Sequence, residues 1–78
     1  MLTKKEAKQI IEDLESFTAG YDKLSGCEVE ARNIRLRKDK VIADIIFHEW
    51  EDGRHDRYNG CEYPIELLER FAKRRTNS

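Results

Sequence analysis

A single proline, four glycines and two cysteines in 78 residues leave few positions where the chain is forced to break or can be cross-linked. The stretch MLTKKEAKQI has charges but no apolar core behind them, so no export signal is read there. Two cysteines in such a chain are expected to be reduced thiols of a cytoplasmic protein. No stretch approaches the roughly 18 apolar residues that a membrane span needs, and no membrane partner is expected. Charge of one sign is also missing: 15 Lys and Arg against 16 Asp and Glu leave a net −1. No global basic field attracts nucleic acid. Apolar residues make up only 38% and charged residues 40%, a balance that would suit disorder if the apolar residues were unpatterned.

They are patterned. Thr3 and Glu6 have the T-x-x-E spacing of a capping box. Ala7, Ile10, Ile11, Leu14 and Phe17 follow at spacings of three and four, one apolar stripe of a helix that Gly20 should end. Lys4, Lys5 and Lys8 crowd its N-terminal end and Glu12, Asp13 and Glu15 its C-terminal half, both against the macrodipole. Such acids are expected to face a basic neighbour or to be neutral drift.

Three strands are predicted next. In CEVEARNIRLR the apolar phase slips from odd (Cys27, Val29, Ala31) to even (Ile34, Leu36), and a β-bulge near Arg32-Asn33 would restore one face. In KVIADIIFHEW, Val41, Ala43, Ile45 and Phe47 share one face and Ile42, Asp44, Ile46, His48 and Trp50 the other. A two-residue turn at Lys38-Asp39 pairs Leu36 with Val41. A two-residue turn at Asp52-Gly53 pairs Glu51 with Arg54, Trp50 with His55, His48 with Arg57 and Phe47 with Tyr58. Pro64 suits the first position of a closing helix, whose apolar face is Ile65, Leu67, Leu68, Phe71 and Ala72. The expected fold is a single α+β domain over residues 1–78, frayed at 75–78. It is a two-layer α-β-β-β-α arrangement in which a three-stranded antiparallel meander carries both helices on one face.

The charges alternate in blocks. Residues 1–31 have four Lys and seven acids, or −3. Residues 32–43 have five bases and one acid, or +4. Residues 44–69 have two bases and eight acids, or −6, and residues 70–78 have four bases, or +4. The element order resembles the double-stranded RNA-binding domain in topology alone. That family's second helix opens on a phosphate-gripping basic run after a glycine-containing loop, whereas this one opens Pro64-Ile65-Glu66. A nucleic-acid alternative therefore rests on the first hairpin (Arg35, Arg37, Lys38, Lys40) and on Arg74 and Arg75, and requires the two blocks to converge.

Chemistry finds little footing. Cys27, His48, His55 and Cys61 lack the close ligand pairs of structural zinc sites, so no metal and no cofactor is expected. Each cysteine precedes an acid, which opposes a reactive thiolate, and a chain this short has little room for a deep pocket. The expected function is that of a non-enzymatic binding module. In size and style it is similar to the small proteins of phages and mobile elements that bind or inhibit a host protein. The predicted contact set is the open sheet face: Arg35, Ile42, Ile46, His48, Trp50, His55 and Arg57. Tryptophan and arginine are enriched at hot spots, and a solvated face has no need of Ile42 and Ile46. The partner is an unidentified protein, with a homodimer as a further expectation.

Overall fold

The computed structural model describes residues 2–21, 27–49 and 53–77. Trp50 and the Asp52 half of the expected turn lie outside them. Helix α1 (Lys4–Ala19) starts where the capping box places it. The Glu6 N–H donates to the Thr3 hydroxyl at 3.1 Å and the Thr3 N–H donates to Glu6. It ends at Gly20, whose φ of +75° is the left-handed conformation that releases the chain.

Strands β1 (Cys27–Leu36), β2 (Lys40–Glu49) and β3 (Arg54–Pro64) form one antiparallel sheet in the order β1-β2-β3, followed by helix α2 (Ile65–Asn77). Both helices pack on one face of the sheet. There Ile11, Val41, Ile45 and Leu68 are fully buried, joined by Ala7, Ile10, Val29, Ala31, Ala43 and Tyr63. Helix α2 starts at Ile65, with Pro64 as the last residue of β3. The Ile65 N–H donates to the Asp39 carbonyl at 3.1 Å, which anchors the helix beside the first hairpin. It runs to Asn77.

The acids that oppose the α1 dipole have structural work. The Ala31 N–H donates to Glu12 at 3.0 Å and Lys8 donates to the Ala31 carbonyl at 2.7 Å, so this pair, itself bridged at 2.6 Å, occupies main-chain groups of edge strand β1. That blocks one place where a foreign strand would add. Glu15 accepts the Tyr63 hydroxyl at 2.6 Å, and burial together with this carboxylate keeps the phenol protonated.

The first hairpin keeps its expected register. Leu36 faces Val41, and the Arg37 N–H donates to the Lys40 carbonyl across Lys38-Asp39. The bulge is also where the phase slip puts it, with Asn33 at φ +54°. The second hairpin differs. Glu49 faces Arg54, His48 faces His55, Phe47 faces Asp56, Ile46 faces Arg57 and Ile45 faces Tyr58. Each predicted pair among the described residues is displaced by two residues. A shift of two preserves the side-chain alternation, so the described residues of these pairs keep their predicted face while changing partner.

Candidate functional site

The face without helices is read best in rows. Glu28, His48 and His55 form one row across the strands; Glu30, Ile46 and Arg57 form the next; then come Arg32 and Asp44, and after them Arg35, Ile42 and Glu62. Of the expected contact set, Arg35, Ile42, Ile46, His48, His55 and Arg57 thus share one surface, and Trp50 lies outside the described residues. Ile46 is only 6% exposed and Ile42 half-buried, so the apolar part of this face is a floor between charged arms.

The centre of the face is Asp44, 7% exposed. Two bulges flank it. Asn33 is the extra residue on β1, and on β3 the register shifts between the partners of Ala43 and Ile45, where Gly60 has φ +69°. Both bulges turn a donor onto the same carboxylate: Asn33 Nδ2 at 2.7 Å and the Gly60 N–H at 3.0 Å. Arg35 and Arg57 add Nη2 donors at 3.3 and 3.5 Å. The Asn33 and Gly60 hydrogen bonds, with the two guanidinium charges behind them, hold the Asp44 carboxyl below the usual carboxylate range.

A second cluster lies one end further. His48 Nδ1 and His55 Nδ1 are 2.6 Å apart with ring planes at 81°, and His48 Nε2 is 3.1 Å from Glu30 Oε1. An ionised carboxylate only accepts, so His48 Nε2 carries a hydrogen, and a single hydrogen occupies the Nδ1–Nδ1 contact. The Arg32 guanidinium on Glu30, with His48 beside it, keeps that carboxylate ionised to lower pH than usual. Among the described residues no group of three or more His, Cys, Asp and Glu is placed to hold a metal. The histidines sit on the open face, whereas Cys27 and Cys61 belong to the helix-side alternation. Burial, then the charges of Glu15 and Asp44, push the Cys61 thiol up, away from nucleophilic use.

The nucleic-acid residues are distributed differently. Arg35, Arg37, Lys38 and Lys40 gather around the first hairpin, but Lys40 is ion-paired with Glu62 and Arg35 with Asp44. Because α2 starts at that hairpin and leads away on the helix side, Arg74 lies about 13 Å further along its axis at the usual rise per residue. Arg75 follows it in the chain.

Sequence reasoning left out of the site Asp44, Glu30, Asn33 and Asn59, whose Oδ1 accepts from Arg57 Nε at 2.8 Å. The available signals were an acid inside the apolar run VIADIIF, and Asn33 and Gly60 at strand-interior positions that favour bulges. Among the described residues, the exposed large apolar side chains lie on the helix side. Phe17 is 77% exposed beside Phe71, at a ring separation of 6.2 Å, and Tyr58 and Leu67 are exposed as well. Phe47 stacks edge-on with both Tyr21 and Tyr58. No protein family, no curated protein and no solved structure matches the chain.

Proposed function

We propose that this chain is a non-catalytic protein-binding module that acts through its open sheet face in the cytoplasm, in the manner of the small phage and mobile-element proteins that bind or inhibit a host factor. The observation that carries the reading is the pair of bulges converging on Asp44. Two left-handed residues, Asn33 and Gly60, are used to fix one carboxylate and, through it, two arginines on an otherwise uncovered sheet. Bulges commonly re-aim side chains at functional surfaces. Positioned arginines over an aliphatic floor are the chemistry of protein contacts.

A nucleic-acid partner fits less well. Glu28, Glu30, Asp44 and Glu62 interleave with Arg32, Arg35, Lys40 and Arg57 on this face, and a phosphate backbone would meet acids as often as bases. No helix among the described residues is long and apolar enough to cross a membrane.

Self-association is a second reading, favoured by the exposed Phe17 beside Phe71 on the helix side. One experiment separates the two surfaces. A photo-crosslinking residue at position 42 should yield a heterologous adduct in cells, and the same residue at position 17 should yield a covalent dimer of this chain. A partner adduct from position 17 and none from position 42 would overturn the open-face reading. Absence of a dimer adduct from position 17 would remove self-association.

A further inference from the structure

We propose that Arg35 and Arg57 form a two-pronged receptor for carboxylates on an acidic segment of a partner protein. This rests on the open-face reading above and names the chemistry of its occupant.

A carboxylate offers about four acceptor sites, two on each oxygen. Asp44 Oδ1 accepts from the Gly60 N–H at 3.0 Å and from Arg35 Nη2 at 3.3 Å. Its Oδ2 accepts from Asn33 Nδ2 at 2.7 Å and from Arg57 Nη2 at 3.5 Å. All four sites are filled, so Asp44 serves as a fixed internal anchor with nothing left to offer a ligand.

The arginines are the reverse. Each has five N–H donors. Arg35 uses Nε on the Asn33 carbonyl at 3.2 Å and Nη2 on Asp44. Arg57 uses Nε on Asn59 Oδ1 at 2.8 Å and Nη2 on Asp44. Among the described residues no other acceptor holds them, which leaves three donors on each. The side chains remain 42% and 48% exposed. Each fork is therefore held along its inner edge and open along its outer one. Pinning removes much of the rotamer entropy that a free surface arginine loses on binding. Two positive charges against one negative leave the cluster attractive to an anion.

The planar fork matches a carboxylate in two-point geometry. The arginines reach Asp44 from opposite edges of the sheet, so an occupant crosses the three strands diagonally, from Arg35 in the Ile42 row to Arg57 in the Ile46 row, with Glu62 and Glu30 on the other diagonal. Protein carboxylates are favoured over a phosphate backbone because Glu28, Glu30 and Glu62 stand on the same face. A short acidic segment satisfies the two forks and avoids those acids, whereas an extended polyanion meets them.

The test is a titration of the full chain, with arginine side chains labelled with nitrogen-15, by an N-acetylated pentaglutamate peptide at constant ionic strength. The Nε–H signals of Arg35 and Arg57 should move together on one saturable curve, while those of Arg32 and Arg70 stay nearly still. Arg35→Lys with Arg57→Lys keeps the charge and loses the fork, and should weaken the peptide at least about fivefold. A linear drift of every arginine alike, or an affinity unchanged by the double lysine variant, overturns the receptor. A 20-nucleotide single strand that binds more tightly than the peptide overturns its partner class. Failure of the receptor differs from failure of the face: if a captured partner survives the double lysine variant but is lost on Ile42→Glu, the face stands and the receptor falls. If it survives Ile42→Glu as well, the face falls.

Discussion

Asp44 is one residue whose environment was half written in the sequence. An acid between Ala43 and Ile45 on a central strand has to face away from the core or find partners, and the alternation of β2 assigns it the open side. Its four donors were not legible, because they come from two other strands at positions fixed by bulges. Asp44→Ala removes the common acceptor of Asn33, Gly60, Arg35 and Arg57 and should lower Tm by roughly 10 °C, measured by circular dichroism, with the sheet signal otherwise retained. The pH dependence has a definite sign. The folded carboxyl lies below the unfolded value of about 3.9. Its contribution is therefore present above that value and is lost as pH falls through the folded one. Tm of the parent protein should fall more steeply between pH 5 and 3 than that of Asp44→Asn. Some slope remains in the variant, because Arg32 and Lys40 hold Glu30 and Glu62 low in the same way. Equal slopes would detach Asp44 from the stability of the sheet.

At the scale of the elements, the two bulges had unequal signatures. The β1 bulge was visible as a phase slip between Ala31 and Ile34, since only an extra residue returns both to the helix side. The β3 bulge leaves a fainter slip, from even-numbered Tyr58 to odd-numbered Cys61 and Tyr63, with Gly60 between them as a second hint. The second hairpin shows the converse. Asp-Gly is a strong two-residue turn signal, yet Glu49 rather than Glu51 faces Arg54. The slip by two changes which side chains touch without changing which face they occupy. Trp50–His55 is replaced by His48–His55, and the histidine pair could not be foreseen. The Gly60 conformation gives an element-scale prediction. Nothing lies within 4 Å of a Cβ built there, so Gly60→Ala meets backbone strain alone. It should cost about 1 kcal/mol in a urea melt. A neutral substitution would mean that the φ of +69° is not held in solution.

For the molecule as a whole, the core and the proposed binding surface lie on opposite sides of one sheet. The helix side takes the core, with Leu68 and Ile11 fully buried, and its sequence is legible because 3.6-residue and 2-residue periods both point there. Among the described residues the open side is polar, its two isoleucines lie low, and its order comes from hydrogen bonds converging on Asp44, which no periodicity encodes. Small domains have little core to spare. A saturated polar knot on the second face is a way to order that face without a third layer. This division makes the surfaces separable by substitution. Ile42 is half-buried on the open face and Phe17 is exposed on the helix side, so a charge at either position should leave the core intact. The most direct measurement compares partner capture, with mass-spectrometric identification, by the parent chain, Ile42→Glu and Phe17→Glu, each confirmed to be folded. The open-face account predicts that Ile42→Glu loses a partner which Phe17→Glu keeps. Retention of that partner by Ile42→Glu and its loss by Phe17→Glu would contradict it.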